Sequence, residues 1–301
     1  MNNDHVAPIH GMPVQEKPWE GSLARKPWDY PVTAAIVHRD TPEMLAGVVA
    51  LLRGQSMAPY ILVIDTGSGP ASQATLDELD AADDCEVHYL RSKGWRGSSC
   101  PVAAAMDVAF ALCQTEFLFS THTDVFPLRA DMIAHVVEKC GARTPVVGWQ
   151  MSPRETWPND SWEDTPSHTA SAYHMKTMRS IGGSWNMLRA FDLLHHPHGQ
   201  TTGGYPDTET TLGLVLADHD ITPRWEKDPD DDGRHILFLG PEPNAPYRTN
   251  WFTHIRSTGS IVVYHPKSLV SEIRFNLVRR ELAAIPGRLQ EWAEAANAKR
   301  P

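Results

Sequence analysis

The sequence predicts an α/β fold in which a mostly parallel central sheet is flanked by helices. Short apolar segments alternate with segments of helical spacing over the first 150 residues, and glycine-bearing or polar turns separate them. Parallel strands are joined by helical crossovers that cover both faces of the sheet, so this alternation is typical of that architecture. The chain has 301 residues, of which 41% are hydrophobic, and can therefore bury a substantial core.

The first elements show this alternation most clearly. Residues 32–37 are apolar and predict a strand, and Asp40-Thr41-Pro42 then supplies a cap and a first-turn proline for a helix at 43–53. The next predicted elements are a strand at 60–64, a helix at 71–79, a strand at 85–90, an alanine-rich helix at 101–113, a strand at 116–120 and a helix at 128–140.

The second half of the chain has a weaker pattern. Its predicted elements are a strand at 146–151, a loop at 152–170, helices at 187–194 and 208–218, a strand at 236–239, and helices at 266–284 and 288–298. We therefore divide the chain into a leader (1–30), two central halves (31–150 and 151–265) and a C-terminal helical segment (266–301).

Composition excludes several classes of protein. A net charge of −10 opposes generic nucleic-acid binding, which needs a basic face. The four cysteines form no C-x-x-C pair, so neither a zinc ribbon nor a disulfide framework is expected. Residues 1–26 lack the pattern of a signal peptide, and no apolar run is long enough for a membrane span. We expect a cytoplasmic protein.

Polar residues that follow the predicted strands are the candidate ligand-binding groups, because ligands bind at the carboxyl ends of parallel strands. Asp65 can accept a hydrogen bond from a nucleobase or a ribose, or it can simply stabilise its own Asp-Gly turn. Arg91 and Arg96 stand before a helix and can bind a diphosphate, or they belong to a solvated basic loop.

The strand at 116–120 leads into a His122-x-Asp124 triplet. Such a triplet can face a metal-bound diphosphate, although a capping aspartate beside a hydrogen-bonded histidine is the alternative. Three tryptophans, Trp157, Trp162 and Trp185, can stack on a sugar ring or pack the fold, and the sequence leaves that choice open.

The order of these elements between residues 32 and 127 resembles the nucleotide-binding half of GT-A-fold (Rossmann-like) glycosyltransferases, especially the inverting enzymes of family 2. The shared features are the Asp40-Thr41-Pro42 helix start, the Val-Ile-Asp-Thr-Gly-Ser turn, the basic segment before an alanine-rich helix and a D-x-D-like element. The resemblance implies that residues 31–150 bind a nucleotide-diphosphate sugar, that residues 151–265 form an acceptor-side extension, and that the donor contacts are Asp65, Arg91, Arg96 and Thr123.

Two later segments resemble the same family. Residues 203–212 are similar to its acidic segment at the head of a helix, which makes Glu209 the candidate general base and Asp207 the second candidate. Residues 251–260 resemble a late histidine element that completes a metal site, which makes Asp124, His254 and His122 the candidate ligands of Mn²⁺ or Mg²⁺. His122 stands where the family has aspartate, and an imidazole ligand favours Mn²⁺ over Mg²⁺.

The resemblance implies an inverting, metal-dependent glycosyltransferase. The acceptor can be a glycan, a protein, a lipid, a small molecule or a modified nucleic-acid base, and the oligomeric state is open. Because His122 replaces a carboxylate, the alternative is a noncatalytic relative that binds a nucleotide or a glycan. A sugar-phosphate nucleotidyltransferase is disfavoured, since no glycine-rich, lysine-bearing loop follows the first strand.

Overall fold

A computed structural model describes residues 27–90, 99–149, 166, 168–186, 208–226, 247–248, 250–255 and 267–298. The strands are β1 (Val32–His38), β2 (Tyr60–Asp65), β3 (Cys85–Tyr89), β4 (Phe117–His122), β5 (Val125–Pro127), β6 (Val146–Gly148), β7 (Ala170–His174), β8 (Arg224–Trp225), β9 (Tyr247–Arg248) and β10 (Phe252–His254). The α-helices are α1 (Pro42–Arg53), α2 (Gln73–Asp80), α3 (Ser99–Leu112), α4 (Met132–Val137), α5 (Met175–Ser180), α6 (Thr210–Asp218) and α7 (Lys267–Ala298).

Seven strands form the central sheet in the order β3-β2-β1-β4-β7-β6-β8. The first four of these are parallel, β7 is antiparallel to both of its neighbours, and β8 is parallel to β6. The predicted α/β class with a mostly parallel sheet is therefore confirmed. Strands β7 and β8 come from the second half of the chain and join the same sheet as the first half.

Both faces of the sheet are covered by helices, and β1 shows how. Its residues Val32, Ala34 and Ile36 face one apolar layer, to which α1, α2, α4 and α7 contribute, while Ala35 and Val37 face the layer of α3, α5 and α6. Successive side chains of a strand point to opposite faces, and here both faces are buried. This is why the first strand is mostly apolar instead of alternating with exposed polar residues.

A second, three-stranded sheet has the order β5-β10-β9. Strand β10 pairs with β5, so that His254 lies opposite Val125 in the ladder. The backbone N–H of Ile255 then donates to the carbonyl of Asp124 at 2.9 Å. This small sheet therefore holds the late segment of the chain against the loop that follows β4.

The C-terminal segment differs from its prediction. The two helices expected at 266–284 and 288–298 form one helix, α7, which continues through Pro286. A Cβ at Gly47 of α1 would lie 2.7 Å from Leu282, and one at Gly54, which caps α1, would lie 2.5 Å from Leu289. The two helices are therefore in close contact on both sides of the proline. Continuous packing against α1 outweighs the local cost of the proline.

Other elements also differ. The helix expected at 128–140 is shorter, because β5 ends at Pro127 and α4 begins only at Met132. Helix α5 and the strands β5, β7, β8, β9 and β10 were not predicted. The helix expected at 187–194, the strand expected at 236–239 and most of the leader lie outside the described residues. Within the described part of the chain, none of the helices has both the length and the apolar character needed to cross a bilayer.

Candidate functional site

The candidate site lies where three parallel strands end side by side. In the sheet register His38 of β1 pairs with Asp65 of β2, and Val37 of β1 pairs with His122 of β4. The loops after these strands therefore leave the sheet at one edge, which is where open α/β sheets bind ligands.

Asp65 is buried, and its carboxylate organises the loop that follows β2. One oxygen lies 2.9 Å from Nδ1 of His38, and the other accepts from the backbone N–H groups of Gly67 at 3.1 Å and Ser68 at 3.0 Å. The Ser68 hydroxyl also donates to this carboxylate. Both oxygens hold the turn, as the alternative interpretation of Asp65 expects. A contact between Asp65 and a nucleobase stays a prediction.

The tautomer of His38 follows from its second contact. The backbone N–H of Thr41 can only donate, and it points at Nε2 of His38 across 3.2 Å. Nε2 is then the acceptor, and Nδ1 carries the proton that is donated to Asp65. Burial raises the pKa of Asp65, but the hydrogen bonds from His38 and Ser68 outweigh it and leave that pKa below its ordinary value.

Hydrogen bonds also join the three loops to one another. Asp40, at a left-handed φ of 52°, donates its backbone N–H to the Ser68 hydroxyl at 2.8 Å and accepts from the backbone N–H of Gly69 at 2.7 Å. The hydroxyls of Thr41 and Thr123 lie 2.9 Å apart. Thr123, a predicted donor-binding residue, therefore links the loop after β4 to the loop after β1.

Asp124 follows Thr123 and is also buried. The pairing of β5 with β10 brings the backbone of His254 next to this aspartate, and a metal site shared by the two residues stays a prediction. The side chain of His254 lies outside the described part of the structure. Among the side chains that are described, no three histidine, cysteine, aspartate or glutamate residues form a group that could hold a metal ion.

Glu209 reaches the same edge from the other half of the chain. It stands at the N-terminus of α6, and its carboxylate accepts from the backbone N–H of His168 at 3.1 Å and contacts Nδ1 of the same residue. The imidazole of His168 in turn lies against that of His122, with 4.6 Å between the ring centroids. His168 therefore connects the candidate base to the His122-x-Asp124 triplet, which begins at the last residue of β4.

The position of His168 follows from the strand that it precedes. Thr121 of β4 pairs with Ala170 of the antiparallel strand β7, so the residues just before Ala170 run alongside those just after Thr121. Sequence reasoning missed His168, because it lies in a segment predicted to be a loop and 41 residues from its partner Glu209.

The environment of Glu209 keeps its carboxylate ionised. Burial raises its pKa, but the charge of His168 and the hydrogen bonds from that residue lower it further, to about 2. The side chain is 14% exposed. At neutral pH Glu209 is therefore an ionised carboxylate with limited access to solvent.

A chain of hydrogen bonds supports the start of α6. The Thr211 hydroxyl donates to the carbonyl of Asn186 at 2.6 Å, and the backbone N–H of Asn186 donates to Oγ of Ser184 at 3.0 Å. Asp107 of α3 then accepts from the Ser184 hydroxyl at 3.2 Å and from the backbone N–H of Trp185 at 2.8 Å. Glu209 is therefore held on a helix that is fixed to the scaffold.

The structure brings four of the candidate residues together around His168 and the end of β4, namely His122, Thr123, Asp124 and Glu209, and it places Asp65 at the same edge of the sheet. Arg91, Arg96 and Asp207 lie outside the described residues, as do Trp157 and Trp162. Trp185 is fully buried and meets the rings of Phe110 and Tyr173 edge-on, so it packs the core.

No protein-family model matches the sequence, and no curated protein matches it. Among solved structures, the mannosyltransferase PcManGT from Pyrobaculum calidifontis, determined with GDP-Man and Mn²⁺, is similar over 67% of this chain and 58% of its own, with 14% identity and a TM-score of 0.43. TarS 1-349 of S. aureus is similar over 62% of this chain and 55% of its own, with 12% identity and a TM-score of 0.42. The glycosyltransferase GlyE of Streptococcus pneumoniae is similar over 66% of this chain and 46% of its own, with 8% identity and a TM-score of 0.43.

These similar structures include glycosyltransferases, which is the class that the sequence resembles. The chain spans little more than half the length of the first two structures.

Proposed function

We propose that the chain is a glycosyltransferase that moves a sugar from a nucleotide-diphosphate sugar to an acceptor hydroxyl. The observation that carries this proposal is the link through His168, which joins the triplet after β4 to Glu209 at the ligand-binding edge of the sheet. Such a site would bind the diphosphate at the triplet and hold a base on the acceptor side. The loops after β1 and β2 would then lie under the nucleoside.

The proposed reaction is a single displacement. Glu209 accepts the proton of the acceptor hydroxyl while the hydroxyl oxygen forms a bond to the anomeric carbon of the donor. The bond from that carbon to the diphosphate oxygen breaks, and the nucleoside diphosphate leaves with the electron pair. Attack opposite the leaving group inverts the anomeric configuration. Asp207 remains the second candidate for the base.

A divalent ion, Mn²⁺ or Mg²⁺, would neutralise charge on the leaving diphosphate. Asp124 and His254 are the residues we expect to hold it, with His122 as a third candidate. The described side chains do not by themselves supply three ligands for this ion.

A cytoplasmic location is part of this proposal. The alternative function is a noncatalytic protein that binds a nucleotide or a glycan. It is favoured by the single observation that His122 stands in place of the first carboxylate of the triplet.

Turnover with water as the acceptor tests the proposal without knowledge of the natural acceptor. Wild-type protein is incubated with Mn²⁺ and with UDP-GlcNAc or GDP-mannose, the sugar nucleotides named for TarS and PcManGT structures, and then with TDP and CMP sugars. Release of the nucleotide is measured, and proton NMR identifies the first anomer formed. We expect inversion, and we expect Glu209→Gln to lower turnover by about 100-fold or more, the usual contribution of a general base.

Two variants sharpen this test. Glu116→Gln is the matched control, because Glu116 also faces a histidine, His174 at 3.7 Å, but is 68% exposed. It lies just before β4, at the opposite end of that strand from the candidate site. Asp207→Asn distinguishes the second candidate base from Glu209. Unchanged turnover in Glu209→Gln would remove Glu209 from the mechanism. Nucleotide binding by wild type without turnover of any donor would instead support the noncatalytic alternative.

A further inference from the structure

His168 determines where the carboxylate of Glu209 points. Both the backbone N–H and the ring Nδ1 of His168 approach the same carboxylate oxygen, Oε1. Two donors on one residue fix that oxygen in distance and in direction. Because Oε1 is held by His168 and the backbone of Glu209 is held at the start of α6, the second carboxylate oxygen has little freedom to move.

The same imidazole also contacts the other end of the site. Its ring lies 4.6 Å from the ring of His122, inclined by 51°, and His168 itself is 8% exposed. A buried ring that touches both Glu209 and His122 sets the spacing between the acceptor side of the site and the triplet after β4.

We propose that His168 is a positioning residue that holds the Glu209 carboxylate in the orientation required for proton transfer from the acceptor. This inference rests on the proposed glycosyltransferase function. His168 does not itself take the proton in this scheme; it acts through Glu209.

The physical reason is the flexibility of glutamate. A glutamate side chain has three rotatable bonds, and a base contributes to the rate only when its oxygen lies within hydrogen-bond reach of the proton to be removed. Without His168 the carboxylate of Glu209 would sample several orientations. The fraction of time spent in the reactive one falls, which lowers kcat. The donor KM is expected to change less than kcat, because His168 reaches the donor end of the site only through its ring contact with His122.

A purely structural role for His168 predicts a different result, and amide substitutions separate the two. The side-chain nitrogen of asparagine can occupy the position of Nδ1 and donate to Oε1 of Glu209. The longer glutamine side chain places its amide near the position of Nε2 instead. Both are polar residues of similar size to histidine, so a positioning role predicts rescue by asparagine alone, whereas a packing role predicts similar effects for both.

The experiment measures kcat and donor KM for wild type and for His168→Ala, His168→Gln and His168→Asn. We expect kcat to fall by about 100-fold in the alanine and glutamine variants, the scale of a misplaced catalytic group. We expect most of that loss to be recovered in His168→Asn, and we expect donor KM to change less than kcat in all three. His88→Asn is the matched control, because His88 also pairs with a glutamate, Glu86 at 3.0 Å, on β3.

Equal kcat in the asparagine and glutamine variants would overturn the inference, as would a loss that appears only in donor KM. If His168→Ala does not fold, the comparison of asparagine with glutamine still decides. A crystal structure of His168→Gln gives a readout without turnover: we expect the Glu209 carboxylate to leave its wild-type position, and an unmoved carboxylate contradicts the inference. Absence of turnover in wild type is a different failure, because it contradicts the proposed function itself.

Discussion

The carboxylate of Glu209 contributes to stability as well as to the proposed chemistry, and its neutral isostere measures that contribution. The pKa of Glu209 is lowered from 4.5 to about 2, and at 1.36 kcal/mol per pH unit this favours the folded state by at most about 3 kcal/mol at neutral pH. Glu209→Gln keeps an oxygen that can accept from His168 but removes the charge. We expect the free energy of unfolding to fall by up to this amount at pH 7.

The pH dependence of the stability difference between wild type and Glu209→Gln provides a second test. Because the pKa of Glu209 is lower in the folded than in the unfolded chain, its contribution is complete above pH 4.5 and is lost as the pH falls towards 2. At pH 3.5 about 2 kcal/mol of the stabilisation by the Glu209 carboxylate should remain. Urea unfolding of wild type and Glu209→Gln at pH 7 and pH 3.5 measures both differences, and the gap between the two proteins should be smaller at the lower pH.

Glu116→Gln serves as the control here too, since its exposed pair with His174 should contribute less than about 1 kcal/mol at either pH. Equal stability of wild type and Glu209→Gln at pH 7 would refute the reasoning. So would a gap that widens as the pH falls.

Three further predictions concern other parts of the account. Gly148→Ala should lower the free energy of unfolding by about 1–3 kcal/mol in urea titrations, because its Cβ would lie 1.9 Å from Oγ of Ser171 on β7; wild-type stability would contradict the tight β6–β7 contact. Asp65→Asn should cost about 1–3 kcal/mol in the same assay, since the amide nitrogen cannot accept the hydrogen bonds that reach the carboxylate; an unchanged midpoint would show that the carboxylate does not hold the turn. Removal of divalent metal with EDTA should abolish turnover, and Mn²⁺ should restore it better than Mg²⁺ if histidine ligates the ion; equal recovery would argue for an all-oxygen site.

The sequence predicted the first half of the fold well, for a physical reason. Strands β1 and β2 are buried on both faces, so their apolar character is continuous and is bounded by turn residues such as Asp40 and Gly67. Strand β7 escaped prediction because its residues are mostly small or polar. They are buried by the neighbouring strands β4 and β6, and this partnership cannot be seen from local sequence.

Long-range packing also decided the C-terminal segment. Pro286 predicts a break between two helices, but on either side of it Leu282 and Leu289 lie against Gly47 in α1 and Gly54 at its C-cap. A proline inside a helix is unfavourable, but the predicted break does not occur. The contacts that keep the helix continuous come from α1, more than 200 residues away in the sequence.

Some residues of the candidate site could likewise be predicted from local sequence, and others could not. Asp65, His122 and Asp124 could be proposed from sequence because each follows an apolar strand, and the rule that ligands bind at carboxyl ends of strands applies to each alone. Glu209 could be proposed only through the family resemblance. His168 could not be proposed, because its importance depends on the antiparallel pairing of β7 with β4, which brings it between Glu209 and His122.

The central claim is that the edge formed by the ends of β1, β2 and β4 binds a sugar nucleotide, and a melting-temperature screen tests it most directly. The protein is heated with UDP, GDP, TDP and CMP and the corresponding sugar nucleotides, each with and without Mn²⁺, because a ligand that binds only the folded state raises the melting temperature. We predict a rise with one nucleoside-diphosphate series that depends on Mn²⁺ and is reduced in Asp124→Asn. No rise with any nucleotide, in the presence or absence of Mn²⁺, would contradict the account.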